Sequence, residues 1–144
     1  MKYAVVGGIA VSFRSVVRTT NDLDLAVVVN DDSEAEAVVR SLISLGYRAE
    51  VLLESEESGR LATVRMISPG EREVYVDLLF DSSGIEGEVV ESSGEIEIFP
   101  GLTSKVASRP SLIALKVLSA NLKTRVKDII DLQNLLNAAS ATEV

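Results

Sequence analysis

Apolar and polar positions alternate in two rhythms along this chain, and the change from one to the other marks its elements. Residues 2–6 (Lys-Tyr-Ala-Val-Val) form a short apolar run that reads as a buried strand. Gly7-Gly8 turn it, and residues 9–17 support one or two helical turns. Residues 23–29 (Leu-Asp-Leu-Ala-Val-Val-Val) are rich in β-branched side chains and predict a second strand. Asn30-Asp31-Asp32-Ser33 then caps a helix over about 32–45, with Glu34 and Glu36 in its first turn and Gly46 at its end. Ala35, Val38, Val39, Leu42, Ile43 and Leu45 recur at helical spacing.

Strands are predicted at 47–53 and 61–67, separated by the solvated turn 54–59, and at 73–80 after the turn Ser68-Pro69-Gly70. Segments 85–91 and 95–99 read as a hairpin around Ser92-Ser93-Gly94. Pro110-Ser111 opens a helix to about 122, and a last helix covers about 125–138. In these helices Val117, Leu118, Ile129, Leu132, Leu135 and Leu136 read as core. Mixed strands with flanking helices predict an α/β or α+β protein built on a mixed, twisted sheet. At 144 residues a single domain is expected, with a sheet-rich core over 1–100 and helices over 101–144.

The chemistry the chain can perform is narrowed by what it lacks. It has no Cys and no His, which excludes disulfides, thiolate sites, imidazole metal sites and the Ser-His-Asp triad. A metal would have to be held by oxygen, so Mg²⁺, Mn²⁺ or Ca²⁺ are the candidates. The start has no basic, long-apolar leader pattern and no run approaches a membrane span, so a cytoplasmic protein without a membrane partner is expected. The net charge of −8 is unevenly placed: residues 30–101 carry five basic against seventeen acidic side chains, whereas 102–144 carry six against three. Such an acidic body does not wrap nucleic acid over a large surface, but it leaves room for one basic cleft between the chain ends.

Asp22 and Asp24 lie two residues apart in a strand and therefore point the same way, with Cα atoms ~7 Å apart. Like charges that close repel unless a cation lies between them. Read blandly, Asn21-Asp22 is a turn and Asp24 a solvent-facing strand residue. Asp77 sits inside the apolar run Val74–Phe80, where an unpaired carboxylate needs compensation. A metal shared with Asp22 and Asp24 would supply it; an arginine partner or an outward-facing position would do so too. Gly7 and Gly8 offer backbone N–H groups at a helix start, which suits phosphate. Arg14, Arg18, Thr19 and Thr20 could grip a triphosphate, or the arginines could be ordinary solvated or paired charges. Lys116 and the run Arg125-Val126-Lys127-Asp128-Ile129-Ile130-Asp131-Leu132 form a last cluster, in which Asp128 and Asp131 share a helix face. Its simpler reading is surface pairing on a terminal helix.

Together these segments resemble the nucleotidyltransferase superfamily with the polymerase-beta-like fold. The ordered set Gly7-Gly8, Arg18-Thr19-Thr20, Asp22-Leu23-Asp24, Asp77 and Arg125–Leu132 resembles its AbiEii-toxin-like branch of minimal nucleotidyltransferases, from residue 2 to about 136. The resemblance implies Mg²⁺ or Mn²⁺ on Asp22, Asp24 and Asp77, with an NTP as donor. It implies phosphate approach at Gly7 and Gly8 and nucleotide contacts from Arg14, Arg18, Thr20 and Lys116, with Arg125, Lys127 and Asp128 shaping the cleft. The implied reaction moves an NMP to a hydroxyl on tRNA or another RNA, a protein or a small molecule. Many relatives carry Ser where Gly8 stands, begin with a helix before the first strand, or have an added helical domain. A homodimer or partner subunit would then complete the acceptor side. The competing reading is a non-catalytic nucleotide- or partner-binding module, such as a toxin–antitoxin component; a magnesium-binding structural domain is the third.

Overall fold

The computed structural model describes residues 1–14, 22–56, 58–80, 84–119, 130–131 and 133–138. Seven strands form one mixed sheet. In chain order the elements are β1 (Lys2–Val6), α1 (Gly7–Arg14), β2 (Asp22–Val28), α2 (Asp32–Ser44), β3 (Arg48–Glu54) and β4 (Leu61–Ile67). They continue with β5 (Tyr75–Leu79), α3 (Glu86–Glu91), β6 (Gly94–Phe99), β7 (Leu102–Val106) and α4 (Arg109–Ser119). Residues 130–131 and 133–138 are also helical. Across the sheet the order is β3-β4-β5-β2-β1-β7-β6. The β2–β5 and β1–β7 pairs are parallel and the others antiparallel. The α/β expectation with a mixed sheet and flanking helices is therefore met.

Alternation along the strands divides the core between the two sheet faces. Val27, Val64, Met66, Val76, Leu78 and Phe80 pack with Ala35 of α2 on one side. Ala4, Val6, Ala26, Ala10 and Val11 of α1, Val89 and Val90 of α3, Leu112 of α4 and Leu135 cluster on the other. Helix α2 begins as its sequence directs: the Asp31 carboxylate accepts the Glu34 N–H at 2.9 Å. It ends at Gly46, whose φ of +99° lets its N–H reach the Ile43 carbonyl while Tyr47 N–H reaches Leu42. At the sheet edge, β3 is exposed along its whole length and shows Val51, Leu52 and Leu53 to solvent.

Four expectations are corrected. The expected hairpin over 85–99 is instead helix α3 followed by β6, and β6 pairs with β7 across Pro100-Gly101. Ile85 and Val89 are four residues apart and Val90 follows, a helical spacing that puts all three against one core cluster. Strand β7 (Leu-Thr-Ser-Lys-Val), in the segment expected to be helical, is polar and half exposed and carries no apolar rhythm. In α4 and the last helical residues, Leu112 and Leu135 are buried, but Val117, Leu118 and Leu136 are exposed, because they lie off the faces that meet the core. Helix α1 starts at Gly7, two residues earlier than expected.

Candidate active site

Register brings the acids together. Val6 of β1 lies opposite Asp24, and Asp24 lies opposite Asp77 of β5. Asp77 in turn lies opposite Arg65 of β4. Residues directly opposite one another share a sheet face, so these four form one line across four strands. The next line on the same face holds Asp22, Tyr75 and Ile67. The site thus sits where β1 leaves the sheet into α1 and β2 and β5 enter it, on the face covered by α1.

Gly7 closes that corner. Its φ of +68° turns β1 directly into α1. A Cβ at Gly7 would run into the Asp24 carboxylate, lying 2.7 Å from Cγ and closer still to Oδ2. The lack of a side chain therefore lets the first turn of α1 press against Asp24. Gly8 follows in that turn, buried, with its carbonyl taking the Ser12 hydroxyl at 3.0 Å. The first helical turn of α1 thus lies beside the Asp24 carboxylate, an arrangement that suits a phosphate only when a cation joins them.

Asp77 has an arginine partner, one of the compensations its apolar strand allowed. Its two oxygens accept from Arg65, Oδ1 from Nε at 2.7 Å and Oδ2 from Nη2 at 2.8 Å. The guanidinium carbon lies 4.7 Å from the centre of the Tyr75 ring, and Nη2 stands 3.8 Å from Asp22 Oδ2. The hydrogen bond to Asp77, followed by the charges of Asp77, Asp22 and Asp24, raises the Arg65 pKa above its ordinary value against the opposing effect of burial. Carboxylate oxygens at Asp22 and Asp24 have the right chemistry for a hard divalent cation. Asp77 lies on the same face beside Asp24, with one lone pair of each oxygen taken by Arg65 and one left on each. Among the described residues no three acidic side chains converge as a metal cage.

The expected cations have different surroundings. Arg14, expected on the nucleotide, donates from Nε to the Ala107 carbonyl at 2.9 Å and from Nη2 to the Val106 carbonyl at 3.1 Å. The Arg14 carbonyl accepts Arg109 Nε at 2.8 Å, so this residue braces the end of α1 against the start of α4. Lys116 on α4 forms an ion pair, Nζ to Asp131 Oδ2 at 3.2 Å, and the Asp131 side chain is 0 % exposed. Arg18, Thr20, Arg125, Lys127 and Asp128 lie outside the described residues. Sequence reasoning passed over Arg65, Tyr75 and the role of Asp131. Arg65 had a signal: a lone cation within the apolar strand Leu61–Ile67 is the same anomaly as Asp77, with opposite charge.

A family model described as the nucleotidyl transferase AbiEii toxin of type IV toxin–antitoxin systems matches residues 2–144. The chain belongs to the AbiEii nucleotidyltransferase family. No curated protein sequence matches this AbiEii-family chain. Among solved structures, it is similar to the lincosamide antibiotic adenylyltransferase LnuA in its lincomycin-bound crystal structure. The two share 16 % identity and a TM-score of 0.59, over 94 % of this chain and 86 % of that one. At that identity the likeness shows a shared fold, in which this AbiEii-family chain keeps its acids on neighbouring strands of the sheet. Among the described residues no helix is long and apolar enough to cross a membrane.

Proposed function

We propose that this chain is a metal-dependent nucleotidyltransferase that moves an NMP from an NTP to a hydroxyl acceptor in the cytoplasm. The observation that carries the reading is the corner where Asp24, in register with Asp77, meets the start of α1 at a glycine that leaves no room for a side chain. Asp22, Asp24 and Asp77 would hold Mg²⁺ or Mn²⁺. When bound, that ion neutralises phosphate charge and stabilises the leaving pyrophosphate. The backbone N–H groups at Gly7 and Gly8 would receive a phosphate of the donor. The acceptor oxygen bonds to the α-phosphorus as the bond to pyrophosphate breaks, and a carboxylate of the cluster takes the hydroxyl proton. Lys116, anchored by Asp131, keeps a positive charge on α4 for the nucleotide side of the cleft. The acceptor is an RNA, a protein or a small molecule, met with help from a second copy or a partner subunit.

Thermal melting with ATP, GTP, CTP and UTP, each with and without Mg²⁺, tests this directly. A rise in Tm that needs both a nucleotide and the metal, and that vanishes in Asp24→Asn, is expected. No shift with any pair would refute the transferase reading and favour a fold used for protein contact.

A further inference from the structure

The β3 edge of the sheet is bare. Among the described residues β3 pairs with β4 alone, and all seven of its residues are exposed. Such an edge shows a row of N–H and C=O groups that can take another strand, and proteins commonly blunt it with charge or proline. The middle of this one is apolar instead: Leu52 is 62 % exposed and Leu53 55 %. Register shifts at Ala49/Val51 and Leu53/Glu54 leave Val51-Leu52-Leu53 as its regular stretch. Ala49 and Leu52 of β3, with Val39 and Ile43 of α2, line a groove of about 730 Å³. A contiguous apolar strip of this kind marks a contact surface. A strand added to β3 would close it, provided that strand is apolar on the side of α2.

We propose that the strand covering this edge is β3 of a second copy, running antiparallel about a two-fold axis through Val51. This goes beyond the reading of the acid site and stands whether or not that site transfers a nucleotide. The sequence of β3 suits its own mate. With Val51 beside the second copy's Val51, Arg48 falls opposite Glu54 at both ends of the seam, two pairs of opposite charge. An axis through Leu52 would instead set Glu50 against Glu54, like charges face to face. Arg48 meets Glu73 at 3.5 Å within its own copy, an exposed contact weak enough to be exchanged. A two-fold axis perpendicular to the sheet keeps like faces together. Leu52, opposite Val64, therefore turns to the α2 side in both copies and supplies the apolar residue the groove requires. Val51 lies opposite Arg65, so the line Asp24–Asp77–Arg65–Val51 of one copy runs on into that of the other. The two Asp77 residues then stand ~24 Å apart on one face, at five strand spacings. Each copy carries a charge of −8, but near-physiological salt screens charges farther apart than ~8 Å, which leaves the contacts at the seam to decide.

The test is the oligomeric state of the full chain without nucleotide or metal. Sedimentation equilibrium over a concentration series in near-physiological salt should give monomer and dimer and nothing larger, because a two-fold contact closes on itself. Leu52→Lys, at a position exposed in the monomer, should weaken the dimer ~tenfold or more. Arg48→Glu should weaken it ~tenfold by making two attractive pairs repulsive, and Arg48→Glu/Glu54→Arg should restore it. The chain has no cysteine, so Val51→Cys places a single thiol on the axis, where directly opposite residues are close enough for a disulfide. Mild oxidation should link Val51→Cys into dimers and leave Glu95→Cys, on the other edge strand β6, monomeric. A parent that stays monomeric throughout, a dimer unmoved by Leu52→Lys, or equal linking at the two positions overturns the proposal and leaves the edge to a strand of another protein. A double reversal as weak as Arg48→Glu alone overturns the axis through Val51. A chain that dimerises in this way yet shows no nucleotide-dependent rise in Tm supports the seam and refutes the transferase reading.

Discussion

Gly7→Ala should damage stability and the site together, by two separable routes. The first is conformational. An L residue at the Gly7 φ of +68° costs ~1–2 kcal/mol, offset in part by the smaller entropy of the unfolded chain. The second is steric: the new Cβ falls on the Asp24 carboxylate, which must leave its rotamer at ~1 kcal/mol. The net loss is ~2 kcal/mol. With an unfolding entropy near 2.1 cal/mol/K per residue, the 144 residues give ~0.3 kcal/mol/K, so Tm should fall by roughly 7 °C. Calorimetric melting of Gly7→Ala in the parent and in an Asp24→Ala background separates the routes. Without the carboxylate only the φ penalty remains, ~1 kcal/mol, and the difference is the coupling between the two positions. An equal loss in both backgrounds would refute the contact between α1 and Asp24. A loss under ~0.5 kcal/mol in the parent would refute the turn geometry as well.

Two further outcomes follow from other parts of the fold. Lys116→Met leaves the buried Asp131 carboxylate without that cation and should cost ~3–5 kcal/mol, whereas Lys116→Met/Asp131→Leu should recover most of the loss, as urea unfolding of both variants will show. Asp31→Ala removes the carboxylate that takes the Glu34 N–H and should cost ~1 kcal/mol in Tm-derived stability while leaving Mn²⁺ binding unchanged, because α2 lies on the other face of the sheet.

What could be read from the sequence was local. Asp22-Leu23-Asp24, the glycine pair and the strands around them are patterns within a few residues, and they emerge in the structure near the expected bounds. What could not be read was set by register. Nothing in Leu61–Ile67 states that Arg65 will lie opposite Asp77, since a shift of one residue would send it to the α2 face instead. The family resemblance compares motifs, and a motif carries no register, so it is silent on the Arg65 pairing with Asp77. For Arg14 the sequence leaves a phosphate contact and a paired charge both open, because a cation at a helix end serves either role. Only the tertiary position of Val106 and Ala107 shows that its fork closes on main-chain carbonyls. Strand β7 escaped notice because its partners, β6 and β1, supply the order that its own polar residues do not.

The line Asp24–Asp77–Arg65 also bears on how the chain folds. Asp77 and Arg65 belong to strands separated by a single short turn, whereas Asp24 meets Asp77 only through a parallel pairing across 53 residues. Local pairs form before distant ones, because closing a long loop must be met in entropy first. The guanidinium therefore arrives with Asp77 on the β4–β5 ribbon, and the carboxylate reaches Asp24 with its charge already screened. A nascent chain that has not yet emerged past β5 has its two strand-borne aspartates and its glycine corner but no assembled line of charge. The acid line of this toxin-family chain is complete only once the sheet is joined across its middle.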